Sequence, residues 1–394
     1  MMILAALAIV NTTATISDKA FEAPFKITEH AIVVDAIVNG KKASFMFDTG
    51  FSGYITISSR IDMGPPSGTM TLRDFVGQFQ VPVVDLHTVE LGELKLSNLK
   101  ERAVMMPGGR YTESYGTHCD GVMGLAVVLD YVTEINFEKS KFIFHPKSFD
   151  ITKRTPDNKR TFLAKLEPHG VGSLEMTVEA NGKELMLALD TGNAFYIATH
   201  KDVLERVGLW NPRDKPKHIS YSGVASGAVE SWSIWVHDAK IYGVPVPTSI
   251  WNIIDLPSSS AEGDGTVGYG FLKNFNIIID YERRHVWLEN FTGKVTDDFV
   301  GETGLRAATN RDNKVEVYHV LDSSPAEAAG VKVGDILVSI NGRSLTTIPR
   351  HQIEGMLTGP VGTKVRIGVS RGANVQNFEL ERKVLANGKP PEGF

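Results

Sequence analysis

NGKKASFMFDTGFSGYI (residues 39–55) and NGKELMLALDTGNAFYI (residues 181–197) are two copies of one pattern in the same chain. Each contains Asp-Thr-Gly, at Asp48-Thr49-Gly50 and at Asp190-Thr191-Gly192, 142 residues apart. Asn39 matches Asn181, Gly40 matches Gly182, Tyr54 matches Tyr196 and Ile55 matches Ile197. Alone, such a tripeptide is more often a turn than a site. Two carboxylates in duplicated surroundings imply a duplicated unit that brings two acids to one axis. Each Asn-Gly lies between two apolar, β-branched runs, which predicts a two-residue hairpin leading into the Asp-Thr-Gly strand.

Further blocks repeat in the same order. Asp120-Gly121-Val122-Met123-Gly124-Leu125 is echoed by Asp264-Gly265-Thr266-Val267-Gly268-Tyr269, 144 residues later. At that spacing Asn136-Phe137-Glu138-Lys139 falls on Asp280-Tyr281-Glu282-Arg283, and the apolar run 142–144 falls on 286–288. The unit is too long, and repeated too few times, for a solenoid. A pair of homologous β lobes is the reading, with mainly β structure up to about residue 290.

The 394 residues suffice for two or three domains, each with its own core. Hydrophobic residues make up 42% and charged residues 22%, ordinary for a globular protein, and the net charge of −5 gives no footprint for nucleic acid. One cysteine, Cys119, excludes an intrachain disulfide and is read as core. The eleven histidines include no metal-binding motif, so no metal and no cofactor are expected. His118-Cys119 is not read as a thiol site, because neighbouring strand side chains point to opposite faces. Gly223-Val224-Ala225-Ser226-Gly227 places its serine wrongly for a nucleophile elbow. The opening run MMILAALAIV is too short to span a bilayer. With the small and polar residues after it, residues 1–24 read as an export segment, with a cytoplasmic chain as the alternative.

The organisation expected is lobe one at 25–149, a polar linker at 150–160, lobe two at 161–293, a third unit at 301–385 and a tail at 386–394. The third unit has its own pattern, SSPAEAAGVKVGDILVSING over 323–342. Ser324 caps and Pro325 starts a helix that Gly330 ends. A second helix is expected from about Pro349 to Leu357. This stretch resembles a PDZ domain of the bacterial protease-associated kind, a small β-rich fold with two helices. The resemblance implies a peptide groove between Gly304-Leu305-Arg306 and a helix carrying His351, Ile353 and Met356. The second apolar residue usual in the carboxylate-binding loop is missing.

The first 290 residues resemble aspartic proteases of the retropepsin and pepsin type, through both Asp-Thr-Gly copies and the blocks Val122-Met123-Gly124 and Thr266-Val267-Gly268. The resemblance implies a bilobal acid-protease fold with Asp48 and Asp190 as catalytic residues. Thr49, Gly50, Thr191, Gly192 and Asn193 would support the dyad, the threonines bonding across the pseudo-axis. Metal-free peptide hydrolysis needs a base for water and an acid for the carbonyl oxygen, and two close carboxyls sharing a proton supply both. Phe51 and Asn193 stand where the family has a small or hydroxyl residue, so the acids are expected to be electrostatically unequal, with Asn193 donating to Asp190. Candidate flaps are Phe75, Val76 and Gly77 in lobe one and Gly223, Ser226 and Gly227 in lobe two. The function expected is an aspartic endopeptidase acting on proteins or peptides that the PDZ domain captures, competent as a monomer and without a transmembrane span. The alternatives are a catalytically silent peptide-binding scaffold and a protease gated by PDZ occupancy.

Overall fold

Asn39 and Gly40 take φ of 46° and 77°, and Val38 pairs directly with Lys41. Asn181 and Gly182 repeat the turn at 50° and 68°, with Ala180 opposite Lys183. Only residues that tolerate the left-handed region close so short a hairpin. In a computed structural model, residues 19–73, 78–106, 117–167, 174–224, 227–256, 263–349, 352–372 and 374–392 are described. Most of the expected export segment therefore lies outside the described residues. None of the described helices is long and apolar enough to cross a membrane.

The two hairpins feed the strands Lys41–Asp48 and Lys183–Asp190. Each is flanked in the same way. Gly121–Gly124 runs parallel to the first, with Gly124 opposite Asp48, and antiparallel to Ile55–Ser58. Gly265–Gly268 runs parallel to the second, with Gly268 opposite Asp190, and antiparallel to Ile197–His200. The aspartates that open these flanking strands tie them down. Asp120 Oδ2 accepts from Ser44 N and Asp264 Oδ2 from Met186 N, both at 2.9 Å. The repeat in sequence thus corresponds to a repeat in backbone register. Cys119 is buried in a small apolar cluster with Ala31, Val33, Met46 and Val122.

A six-stranded sheet draws on both repeats. Its order is Phe21–Pro24, Lys141–His145, Val132–Asn136, Phe275–Asp280, His285–Asn290 and Thr161–Lys165. The join is antiparallel, with Ile135 opposite Ile277. Phe275–Asp280 is buried along its whole length, which is why its sequence is a nearly unbroken apolar run. One apolar core extends from Ala23 to Leu288 through both repeats.

The C-terminal unit has a separate core, including Leu305, Val317, Leu337 and Ile367. Ser324 Oγ accepts from Glu327 N, Pro325 opens the helix Pro325–Ala329, and Gly330 ends it at φ 85°. The second helix is shorter than expected, Ile353–Leu357, capped by Gln352, whose N–H closes a turn onto Pro349 O. The unit lies against the second repeat. His319 Nε2 meets Ile219 O at 2.7 Å, and His218 Nδ1 meets Asp322 O at 2.9 Å. Beyond the unit, Asn387 returns to the strand Gly227–Ile241. It donates from its backbone to Ser233 O at 2.7 Å, accepts from Trp235 N at 2.9 Å, and uses its side chain on Lys217 and Ser233. The described chain is thus mainly β, with a few short helices.

Asp297, in the segment leading to this unit, is half-buried and accepts from Ile250 N at 3.0 Å. Burial pushes its carboxyl up to about 6, against the opposing pull of the Ile250 N–H and Lys273. The folded chain therefore holds this proton more tightly than the unfolded chain. The resulting stability is lost as pH rises from about 4, the unfolded value, to about 6. Asp297→Asn keeps the acceptor and removes the charge. Thermal melts should show equal midpoints at pH 4 and a variant about 2–4 °C more stable at pH 7.5. A variant no more stable at pH 7.5 would contradict this account.

Candidate functional site

Two threonines lock the ends of the repeated hairpins together. Thr49 Oγ1 accepts from Thr191 N at 3.0 Å and donates to Leu189 O at 2.8 Å. Thr191 Oγ1 accepts from Thr49 N at 3.1 Å and donates to Phe47 O at 2.8 Å. Both residues are buried. Each hydroxyl therefore satisfies one donor and one acceptor of the other hairpin, groups that would otherwise be orphaned in the core.

This crossing brings Asp48 and Asp190 together. Asp48 Oδ1 accepts from Gly50 N at 2.7 Å and Phe51 N at 3.1 Å. Asp190 Oδ1 accepts from Gly192 N at 2.9 Å and Asn193 N at 3.1 Å. Gly50 and Gly192 do not take positive φ. Their requirement is steric: a Cβ on Gly50 would sit 2.6 Å from Asp190 Cγ, and one on Gly192 would collide with Asp48 Cγ. Each carboxyl lies against the other repeat's glycine. Gly124 and Gly268 are needed for the same kind of reason, since a Cβ would strike the carbonyls of Phe51 and Asn193.

Both carboxyls are pushed above the usual carboxylate range, first by burial. For Asp48 the charge of Asp190 adds to the rise, and the Gly50 and Phe51 N–H groups oppose it. For Asp190 the opposing groups are Asp48, the Gly192 and Asn193 N–H groups and the Thr266 hydroxyl. Two such groups favour a state with one proton between them, offering an acid and a base at one place.

The surroundings differ from one repeat to the other. Phe51 turns into the apolar cluster of Ala31, Val33, Met46, Cys119 and Val122. The side chain of Asn193 does not donate to Asp190, as the sequence suggested. Its Nδ2 donates to Thr266 Oγ1 at 2.9 Å and its Oδ1 accepts from Phe195 N at 2.9 Å, so the contact with Asp190 comes from the Asn193 backbone. Thr266 was not singled out from the sequence. Its signal is the one hydroxyl residue in the second copy where the first has Val122. Among the described residues no group of three or more His, Cys, Asp or Glu is placed to hold a metal.

Phe75, Val76, Gly77 and Ser226 fall outside the described residues, while Gly223 and Gly227 pair with Ala228 and Val224 in the hairpin of Ser220–Val224 with Gly227–Ile241. In the C-terminal unit, Leu305–Thr309 stands at the sheet edge. Gly304 has φ 80°, and a Cβ there would strike Ser324. Leu305 and Ile353 are buried, and Met356 packs on their core. Arg306 is committed elsewhere: its guanidinium bonds Glu302 Oε2 at 2.6 Å and Ser220 Oγ at 3.2 Å. His351 lies outside the described residues.

Residues 316–371 match the PDZ domain family, so the chain carries a PDZ domain. The chain is 30% identical over 94 residues to a probable CtpA-like serine protease of Staphylococcus saprophyticus, covering 24% of this chain and 19% of that one. It is 32% identical over 73 residues to the carboxy-terminal processing protease CtpA of Bacillus subtilis, covering 18% of this chain and 16% of that one. The chain thus spans about a fifth of the length of the curated relatives it matches. The aspartic proteinase from Irpex lacteus aligns over 70% of this chain and 98% of that one, at 13% identity and a TM-score of 0.43, a likeness too weak to carry an argument. The relatives' names correct the class assigned from the sequence. They are named as serine-type and carboxy-terminal processing proteases, and the family model that matches is the PDZ domain. The aspartic endopeptidase assignment, its pepsin-like and retropepsin-like description, and its silent-scaffold and PDZ-gated alternatives are set aside on that finding.

The crossed threonines give a test of the site's architecture. Thr191→Val leaves Thr49 N and Phe47 O without their partner, at a cost of about 2–4 kcal/mol, while Thr191→Ser keeps both bonds. Denaturant unfolding should show the midpoint falling sharply for valine and little for serine. Amide exchange at Thr49 should accelerate in the valine variant alone. Equal behaviour of the two variants would mean that the hydroxyl is not what holds the hairpins.

Proposed function

We propose that the chain is a PDZ-bearing protease acting on protein or peptide substrates. The observation that carries this reading is the PDZ match at residues 316–371, together with relatives named as proteases. Asp48 and Asp190, each cradled by N–H groups and joined through the crossed threonines, are the proposed site residues. That the named relatives are proteases supports the same activity. Residues 25–149 and 161–293 are read as two homologous β lobes joined by 150–160, and 301–385 as the PDZ unit. Peptides would add as a strand at the edge Leu305–Thr309, beside Ile353 and Met356. One chain holds both carboxyls, so a single copy suffices. The apolar opening run supports export. The relatives' names favour a serine as the nucleophile.

Fluorogenic peptide libraries assayed from pH 3 to 8, before and after fluorophosphonate treatment, test this reading. Turnover that covalent labelling abolishes is the expected result, and specific activity should not change on dilution. Turnover without labelling, lost in Asp48→Asn and in Asp190→Asn, would overturn the serine nucleophile.

A further inference from the structure

The strand Gly227–Ile241 has a stretch of edge that another segment of the chain already uses. It pairs with Ser220–Val224 up to Ser231 and with Glu175–Ala180 from Lys240. Between those stretches Asn387 lies beside Ile234 in a parallel bridge, donating to Ser233 O at 2.7 Å and accepting from Trp235 N at 2.9 Å. The pairing stops after one bridge. Gly388 turns the chain at φ 88°, and Lys389 O is met by His237 Nε2 at 2.9 Å in place of a backbone group. A cavity of about 310 Å³ opens at that point. Its apolar wall is Leu209, Trp210, Ile234 and Trp235, and Asn387 and Gly388 form the side where the chain turns. Sites for whole small molecules run from roughly 300 to 1,000 Å³, so this cavity has room for one large side chain.

The segment beside the cavity is cationic. Residues 211–217 hold Arg213, Lys215 and Lys217 against one acid, Asp214, in a chain whose net charge is −5. Asp214 and Lys215 line the cavity. The backbone of Lys217 is tied to the Asn387 side chain, its N–H donating to Oδ1 at 2.6 Å and its carbonyl accepting from Nδ2 at 3.0 Å. The loop and the turn at Gly388 are therefore held together. The three cations, and Lys389 beyond the turn, are exposed. None of the four forms an ion pair among the described residues.

We propose that this groove is a second peptide site, taking an extended segment with one large apolar side chain flanked by acidic residues. The apolar side chain fills the cavity against Trp210 and Trp235, the backbone runs beside the turn at Gly388, and the acidic residues meet Lys215 and its neighbours. A peptide fits better than another polyanion because an extended segment, 387–389, already pairs at this edge. Aromatic walls are where peptide side chains gain most on burial, and the unpaired charges around them select and steer the partner. The groove is built from the second repeat and the chain leaving the PDZ unit. It shares no residue with the edge Leu305–Thr309 or with Asp48 and Asp190, so it does not depend on which residue is the nucleophile.

The probe is a fluorescein-labelled peptide, Glu-Asp-Glu-Phe-Glu-Asp-Glu, blocked at both ends so that no terminal carboxylate directs it to the PDZ domain. Binding to the full chain is read by fluorescence anisotropy, with mass spectrometry verifying that the peptide stays intact. Replacing the probe's Phe by Ala should weaken binding about tenfold or more, the loss of one buried aromatic side chain. A basic probe, Lys-Arg-Lys-Phe-Lys-Arg-Lys, should bind at least about tenfold more weakly than the acidic one. Arg213→Glu with Lys215→Glu changes exposed positions only, so the fold should survive. It should weaken the acidic probe about tenfold and strengthen the basic one. Leu209→Trp, which narrows the cavity, should weaken the Phe probe and leave the Ala probe unchanged. Equal binding of the acidic and basic probes, or an affinity that the charge reversals do not move, would overturn the site. Phosphatidylserine vesicles held through the same cations, with no binding of the acidic probe, would also overturn it and assign the loop to a membrane surface.

Discussion

The crossed bonds of Thr49 and Thr191 are the constraint on which the site depends. Each hydroxyl serves the backbone of the opposite hairpin, so neither loop can reach its conformation without the other. The requirement then propagates outward. For the threonines to meet, both Asp-Thr-Gly strands must end at the same height, and the Asn-Gly turns set that register. For the loops to lie so close, Gly50 and Gly192 must have no side chain, because each sits against the other repeat's carboxyl. For the flanking strands to pass beneath, Gly124 and Gly268 must be bare as well. Four glycines and two threonines therefore answer to one packing problem.

Within that frame, symmetry ends where the acids meet their neighbours. Backbone donors reach both carboxyls alike, while the side chains beside them are apolar in one repeat and polar in the other. A duplicated backbone with unequal filling is an economical way to obtain two unlike groups from two like ones. It keeps the positions fixed while the ionisation behaviour diverges, since the backbone sets distance and the side chains set local polarity.

The parts of the structure legible in the sequence were those written in short windows. Asn-Gly turns, the capping of Pro325–Ala329 by Ser324 and its termination at Gly330 each depend on a few adjacent residues, and these appear as read. The pairing of Ile135 with Ile277 has no local signature, because apolar runs from both repeats fit many partners. Arg306 could not be placed from its neighbours in sequence, since Ser220, one of its partners, is 86 residues away. Asn193 illustrates a finer limit: its donor capacity was evident, but whether the amide served Asp190 or Thr266 depended on a residue 73 positions later. The chemical class was the largest miss. A motif specifies a local geometry, and the relatives' names assigned a different class from the one the motif suggested.

Asn387 has a further consequence for the PDZ unit. The chain enters that unit from the segment held at Asp297 and leaves it into a short parallel pairing with Ile234, so both connections are fixed to the second repeat. In topology the unit is an inserted loop and not a pendant module. A pendant module on one flexible connection samples a sphere of orientations, whereas one clamped at both ends is confined to motions that its two anchors permit together. Any peptide it holds would be presented from a nearly fixed bearing. Lengthening one connection would leave that bearing largely intact, because the other connection and the contacts of His218, His319 and Arg306 still hold the unit.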